Sequence, residues 1–232
     1  QKEISKSALP EKHTADILQI EFYGAGCGSS ENKQIIHQWL SKIFPEATIQ
    51  VHSDLLGAAR ALFSNKPGIA CILGTGSNCC FYDGKEITFT RPSPGYILGD
   101  EGSGSYMGKK LMKAFIYGEL PKELNRRLND QFQLTEQHIL DRLYKKPFPN
   151  RFLAGFIPFI KENADNEFIQ HIIQQSLQDF FEQHLAKTPG YQKSAIRFTG
   201  SVAWIFKEEI QNLNRHFNLF IEHFMQSPVK AL

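Results

Sequence analysis

The sequence of 232 residues lacks long apolar runs, and none approaches the roughly 18 residues that a membrane-spanning helix needs. It also lacks a strong charge of either sign, since 26 basic and 24 acidic side chains leave a net charge of +2. The basic pairs Lys109-Lys110, Arg126-Arg127 and Lys145-Lys146 lie far apart in sequence. These features argue against a membrane protein and against a protein that binds nucleic acid.

Cysteine motifs and metal-binding histidine motifs are also missing. The sequence has four cysteines without a CxxC pair and eight histidines without HExxH or HxH spacing. The cysteines are Cys27, Cys71, Cys79 and Cys80. This pattern excludes a disulfide framework or a zinc ribbon and predicts buried, reduced thiols in a cytoplasmic protein. His184 is interpreted as an ordinary helix residue, and no metal ligand is predicted.

The first residue is Gln1 rather than methionine. No basic start followed by an apolar core, as in a signal peptide, comes after it. The expectation is that the start was removed or that the chain is part of a longer protein.

The first third of the chain has the pattern of alternating strands and helices. Alternating apolar residues predict strands at 17–23 and 47–52. One apolar face predicts a helix at 31–44, and a second helix is expected from Ser53 or Asp54 to Phe63.

A three-stranded antiparallel meander is predicted next, at 68–73, 79–82 and 86–90, with a type I′ turn at Asp83-Gly84. The rest is mostly helical. The further predicted elements are helices within 105–187, including 136–145 and 167–186, a strand at 195–198, a helix at 203–215 and a strand at 219–224.

This order of elements is typical of an α/β protein. The sequence predicts two lobes, one at 1–66 and one at 67–224, joined by a linker at 64–67. Residues 225–232 are expected to return to the first lobe.

The glycine-rich segment GTGSN, from Gly74 to Asn78, joins two apolar strands. Its backbone N–H groups and the side chains of Thr75, Ser77 and Asn78 could bind an anion. It is neither a Walker A loop nor a dinucleotide fingerprint. A tight hairpin whose glycines supply only positive φ is the alternative.

Asp54 stands where a strand ends and a helix begins. It is either an N-cap shared with Ser53 or a carboxylate at the end of a strand that accepts a proton from a substrate hydroxyl. In the loop GYILGDEGSG, Asp100 and Glu101 either favour a helix N-terminus or suit sugar hydroxyls or a metal–phosphate complex. The segment FTGSVA is another strand–glycine–helix junction.

The order of these segments resembles the N-acetylglucosamine kinases of the BadF/BadG/BcrA/BcrD ATPase family, in the actin–hexokinase superfamily. The resemblance covers the chain from about Ile17 to its end. The matching segments are SDLLGAA (Ser53 to Ala59), GIACILGTGSN (Gly68 to Asn78), PGYILGDEGSG (Pro94 to Gly104) and FTGSVAWIFKE (Phe198 to Glu208).

The resemblance implies a two-lobed actin-like ATPase fold of ribonuclease H type, with ATP and Mg²⁺ as cofactors. It implies that Asp54 binds the reacting hydroxyl of an amino sugar and is the general base. It further implies sugar contacts at Gly95, Tyr96 and Asp100. The ATP-binding residues that it implies are Gly74, Thr75, Gly76, Ser77, Ala164, Gly200 and Ser201. Kinases of this kind also suggest a homodimer.

One part of the family pattern is missing. The first phosphate loop, a DxGxTxT strand-turn, and the sugar-binding asparagine after it have no match in residues 1–16. The first lobe is therefore expected to be incomplete, with an unpaired strand edge.

The resemblance predicts an ATP-dependent kinase for N-acetylglucosamine or a related amino sugar. Two alternatives remain open from the sequence: an ATPase activator of a radical dehydratase or reductase, and a non-catalytic module that senses a sugar or a nucleotide.

Overall fold

The computed structural model describes residues 17–228. The chain forms two compact units that divide between Gly57 and Ala58. This division falls inside a helix, nine residues before the boundary expected at 66/67. The last turn of that helix belongs to the larger unit, because the Arg197 guanidinium donates to the Leu62 carbonyl and lies over the Phe63 ring. Residues 1–16, which lack the first phosphate loop, lie outside the described part.

The smaller unit is built on two parallel strands. Its elements are β1 (Gln19–Gly24), α1 (Ser30–Ile43), β2 (Thr48–Ser53) and the start of α2 (Asp54–Phe63). In the parallel register Gly24 is paired with Ser53, so the carboxyl ends of both strands meet at one edge. Within residues 17–228 this sheet has these two strands, as expected for a partial first lobe.

The larger unit contains a five-stranded mixed sheet with the order β5-β4-β3-β6-β7. Its strands are β3 (Gly68–Leu73), β4 (Ser77–Tyr82), β5 (Ile87–Thr90), β6 (Ile196–Thr199) and β7 (Ile221–Met225). The first three pair antiparallel and confirm the predicted meander. Strand β6 pairs parallel with both β3 and β7.

Helices cover the sheet and confirm the predicted alternation of elements. They are α3 (Gly95–Leu98), α4 (Gly104–Ile116), α5 (Lys122–Phe132), α6 (Glu136–Tyr144), α7 (Pro149–Ala154), α8 (Ile157–Glu162), α9 (Glu167–Gln183), a 3₁₀ turn (Leu185–Lys187), α10 (Ser201–Ile205) and α11 (Lys207–Phe217). The apolar stripe of α9 is buried as its spacing predicts, with Phe180 and Phe181 packed on Phe198 of β6.

Two local predictions are wrong. The turn after β4 is not type I′, because Gly84 has a positive φ whereas Asp83 does not. The Asp83 carboxylate instead accepts the N–H groups of Lys85 and Glu86, which produces a side-chain-stabilised loop. The helix predicted at 203–215 is two helices, α10 and α11, which are separated at the fully buried Phe206.

All four cysteines are buried and free, as predicted. The Sγ atoms of Cys71 and Cys79 approach to 3.6 Å on neighbouring strands without a disulfide. Burial raises the pKa of the Cys71 thiol well above its ordinary value. These thiols therefore act as small apolar core residues.

Candidate active site

The glycine-rich turn between β3 and β4 is shorter than the GTGSN segment suggests. Strand β4 already begins at Ser77, so the turn itself consists of Gly74, Thr75 and Gly76. It is closed by the Gly74 N–H, which donates to the Gly76 carbonyl at 2.9 Å.

The turn is fixed to the first residues of α4. The N–H of Gly104 donates to the Gly74 carbonyl at 2.8 Å, and the N–H of Ser105 donates to the Thr75 carbonyl at 3.1 Å. The conformation of the turn is therefore held by both the hairpin and the helix. The backbone of the turn is therefore already fixed by these hydrogen bonds without a ligand.

Open space and hydroxyl groups without hydrogen-bond partners lie beside this turn. A Cβ placed on Gly74 would meet no atom within 4 Å. The buried Ser77 Oγ and Thr199 Oγ1 have no hydrogen-bond partner among the described residues. Buried polar atoms without a partner are uncommon in native proteins and call for an explanation. A bound anion beside the turn would provide one for Ser77.

Asp100 lies against the turn, in the left-handed backbone region with φ +61°. Its Oδ1 is 3.4 Å from the Ser77 N–H, and a Cβ on Gly76 would lie 3.0 Å from its Oδ2. Glycine at position 76 thus permits the carboxylate to lie against the backbone. Burial raises the pKa of Asp100, and the Ser77 N–H partly offsets that increase.

Glu101 has a different partner from its neighbour. Its Oε2 is 2.8 Å from Nε2 of His184, which is buried and stacks on the Phe180 ring. Since an ionised carboxylate only accepts, His184 Nε2 carries the proton in this bond. Of the two loop acids, Asp100 therefore adjoins the turn at Gly74, Thr75 and Gly76, whereas Glu101 connects the loop to His184, the residue that follows α9.

Helix α3 carries Gly95 and Tyr96, two of the residues implied as sugar contacts. Gly95 has φ +78°, and a Cβ there would meet nothing within 4 Å. The Tyr96 carbonyl accepts a hydrogen bond from Lys109 Nζ at 2.9 Å. The segment that ends in Asp100 is thus connected to α4 through its backbone.

Gly200 and Ser201 follow β6 at the start of α10. Because β3 and β6 are parallel neighbours, with Ile72 paired to Thr199, their carboxyl ends lie side by side. A Cβ on Gly200 would lie 2.8 Å from the carbonyl carbon of Leu73 and 3.3 Å from the Gly74 nitrogen. The structure therefore brings the implied adenosine loop into contact with the implied phosphate turn.

Ala164 lies in the connection between α8 and α9 and packs against the core of the larger unit. Its N–H donates to the Lys161 carbonyl at 3.2 Å. Its assignment to the adenine site stays a prediction.

In the smaller unit, Asp54 is the first residue of α2 and is exposed. Ser53 provides the cap, since its Oγ accepts the Leu56 N–H at 3.2 Å. Asp54 Oδ1 accepts the N–H of Leu55 at 2.9 Å. Because Ser53 caps the helix, Asp54 is available for a second function at the carboxyl end of β2.

The environment of Asp54 favours a carboxyl group that accepts protons. Partial desolvation raises the pKa of the Asp54 carboxyl group, and the hydrogen bond from the Leu55 N–H partly offsets this increase. The Cys27 thiol belongs to the glycine-rich turn after β1, and its pKa is raised by burial and by the charge of Asp54. That turn and Asp54 therefore share the carboxyl edge of the two-stranded sheet.

Residues 17–228 contain no group of three or more histidine, cysteine, aspartate or glutamate residues that could hold a metal ion. Over the same residues, no helix combines the length and the hydropathy that a membrane span requires.

The mixed five-stranded sheet and its glycine turns define the larger unit as a lobe of the actin-like, ribonuclease H-type ATPase fold. A solved structure of a candidate N-acetylglucosamine kinase from Chromobacterium violaceum shares this fold, with a TM-score of 0.70 and 18% identity over 88% of this chain and 71% of that one. No protein-family profile matches the chain.

A second solved structure is much more similar. It is a candidate N-acetylglucosamine kinase from Porphyromonas gingivalis, with 37% identity and a TM-score of 0.89 over 95% of this chain and 77% of that chain. The chain belongs to this N-acetylglucosamine kinase-like family.

A curated relative is the N-acetylmuramic acid/N-acetylglucosamine kinase of Clostridium acetobutylicum. It is 36% identical over 93 residues, which are 40% of this chain and 30% of the relative. The match thus spans less than a third of that protein. The relatives do not favour the activator or sensor alternatives.

Two residues of the site were missed by the sequence analysis. His184 was interpreted as an ordinary helix residue, although it continues the buried stripe of α9 one turn after Phe180. The signal that could have identified His184 was a titratable side chain at a position that continues the buried apolar stripe of α9. Lys109 carried no signal, because its partners are backbone carbonyls, which no side-chain motif can reveal.

Proposed function

We propose that this protein transfers the γ-phosphate of ATP to a hydroxyl group of an amino sugar. The observation that carries the proposal is the turn from Gly74 to Gly76. It combines open space, a buried hydroxyl without a partner at Ser77, and fixation by the start of α4. Phosphoryl transfer depends on such prearranged backbone and hydroxyl donors more than on covalent chemistry.

Asp54 is proposed as the general base. It is exposed at the carboxyl end of a strand, and its raised pKa makes it a better proton acceptor than an ordinary aspartate. The helix is capped by Ser53, so a substrate hydroxyl does not compete with capping for this carboxylate. Asp54 would bind the reacting hydroxyl and take its proton as the phosphoryl group is transferred.

Gly95, Tyr96 and Asp100 are proposed to contact the sugar. Gly95 has an open side at positive φ, and Asp100 presents a buried carboxylate that suits hydroxyl donors. The names of the Porphyromonas and Clostridium proteins favour N-acetylglucosamine as the acceptor, with N-acetylmuramic acid as a second candidate.

ATP is proposed to lie along the edge where β3 and β6 end, with its phosphates at Gly74, Thr75, Gly76 and Ser77. Gly200 and Ser201 would contact the adenosine, and Ala164 would approach the adenine. The packing of Gly200 on the Leu73–Gly74 backbone supports this assignment, because it joins the two loops into one surface.

Mg²⁺ is proposed to accompany ATP. Mg²⁺ is usually held by substrate phosphates, water and one or two carboxylates rather than by an all-protein cage. The described residues contain no group of three or more potential metal ligands, so the phosphates of ATP and water would supply most of the ligands in this proposal. The ion would neutralise charge on the transferred phosphoryl group.

Steady-state measurement of ADP release by the full-length protein, across a panel of hexoses and hexosamines, tests the proposal. We expect turnover with N-acetylglucosamine and a phosphorylated sugar identified by mass spectrometry. Turnover with no sugar would overturn the proposal.

Substitution Asp54→Asn tests the base. We expect kcat to fall by about 10²–10⁴-fold, the range for loss of a general base, while the Kd for ATP stays within about twofold. A parallel loss of ATP binding would instead show that Asp54 is structural.

The stability of the same variant should depend on pH. Because the folded protein raises the pKa of Asp54, the contribution of this group to stability is fully present below its unfolded pKa and is lost as pH rises through the folded value. The amide that replaces the carboxyl group cannot ionise. The free energy of unfolding of the variant, relative to that of the wild type, should therefore increase as pH rises from about 3 to about 7. Urea titrations of both proteins at each pH measure this difference. A difference that does not change with pH would contradict this.

We infer a cytoplasmic location from the four buried, free thiols, which suit a reducing compartment.

A further inference from the structure

Helix α3 is weakly attached to the rest of the larger unit. It has four residues, and none of them is buried. Ile97 and Leu98 expose 68% and 78% of their surface. Tyr96, the proposed sugar contact, is partly buried and packs against the core, so this one side chain provides the apolar packing of the helix while Ile97 and Leu98 face solvent.

A cavity lies beside this helix. It has a volume of about 530 Å³ and is lined by Tyr96, Ile97 and Lys109 together with mostly apolar side chains of α4 and α6. The helix thus borders empty space on this side. Polar contacts would add to the packing of Tyr96 in fixing the position of the helix.

Lys109, on α4, provides such contacts. Its Nζ donates to the carbonyls of Tyr96 at 2.9 Å and Ile97 at 3.4 Å. Carbonyls in the last turn of a helix have no partner within the helix, and a cation there is favourable. Burial lowers the pKa of Lys109, and the nearby Glu101 and Asp100 carboxylates oppose that shift.

We propose that Lys109 is a positioning residue that fixes α3, and with it Gly95 and Tyr96, for binding of the acceptor sugar. This inference rests on the proposed sugar-kinase function. Lys109 does not contact the substrate in this scheme. It acts through the backbone of α3.

The variant Lys109→Met tests the role, because methionine keeps an apolar side chain of similar length and removes the donor. Lys113→Met is the matched control. Lys113 lies one turn further along α4, lines the same cavity and stacks its Nζ over the Tyr117 ring at 5.8 Å. In the described structure it makes no hydrogen bond to α3.

We expect Lys109→Met to raise KM for the sugar by about 10- to 100-fold, the effect of losing a hydrogen bond from a charged donor. The kcat and the KM for ATP should stay within about twofold of the wild-type values. The reason is that an interaction lost equally from the ground state and the transition state raises KM without changing kcat. Lys113→Met should match the wild type. Lys109→Arg should recover part of the sugar affinity.

Hydrogen exchange supplies a readout that needs no turnover. The amides of 95–99 should exchange faster in Lys109→Met than in Lys113→Met, with equal unfolding midpoints. Unchanged exchange, or equal sugar KM in the two variants, would overturn the inference. Absence of turnover in the wild type would overturn the proposed function itself, whereas turnover in the wild type with unchanged kinetics in Lys109→Met would overturn only the role of Lys109.

Discussion

Replacement of Gly200 by alanine should destabilise the larger unit strongly. Gly200 has φ +109° and ψ 159°, a region that is essentially restricted to glycine. The added Cβ would press on the Leu73 carbonyl oxygen and lie 2.8 Å from its carbon. Backbone strain of about 1–3 kcal/mol and overpacking of about 1–3 kcal/mol add to about 2–6 kcal/mol.

Gly118→Ala separates the two contributions. Gly118 also has a positive φ, +68°, but its added Cβ would meet no atom within 4 Å. This control should cost only about 1–2 kcal/mol, the penalty of a left-handed conformation. The excess cost of Gly200→Ala over Gly118→Ala measures the close approach of Gly200 to the backbone of Leu73 and Gly74.

Urea unfolding followed by tryptophan fluorescence is a suitable assay. The chain has two tryptophans, and Trp204 lies in α10, four residues after Gly200. In a Trp39→Phe background the signal therefore reports the larger unit. A Gly200→Ala protein no less stable than Gly118→Ala would refute the argument that the two loops are in van der Waals contact.

Two further predictions concern the same site. Gly74→Ala should leave the unfolding midpoint unchanged, because the added methyl group enters open space. The same variant should bind ATP more weakly when the affinity is measured by calorimetry. An unchanged ATP affinity would argue against a phosphate group at this turn. His184→Phe keeps a ring stacked on Phe180 but leaves Glu101 without its 2.8 Å hydrogen-bond partner, so the free energy of unfolding in urea should fall by about 1–3 kcal/mol. Glu101→Gln should lower it less, because the amide oxygen still accepts a hydrogen bond. Equal losses of stability in the two variants would mean that this hydrogen bond contributes little.

Much of the fold could be predicted from the sequence, because its elements have strong local signals. The apolar run 68–73 and the stripe of α9 leave few alternatives for a strand and a buried helix. The type I′ turn at Asp83-Gly84 was mispredicted, since the dipeptide pattern does not show that the Asp83 carboxylate accepts two backbone N–H groups.

The candidate site was predicted less completely, for a different reason. Motifs nominated the loops around Gly74, Asp100 and Gly200 as candidates, and the structure makes these loops neighbours. The motifs did not identify Lys109 or His184, whose roles depend on a backbone carbonyl and on a side chain 83 positions away. Contacts of this kind arise only when the elements pack, so no local pattern carries them.

The two halves of the proposed site differ in how they are held. The turn from Gly74 to Gly76 and Gly200 follow adjacent parallel strands, β3 and β6, and pack directly on each other, so the proposed nucleotide surface is part of the sheet. Helix α3 buries no residue and depends on Lys109. Few core contacts therefore constrain α3. We expect substitutions there to change sugar preference at little cost in stability, whereas substitutions at the nucleotide edge affect both folding and ATP binding.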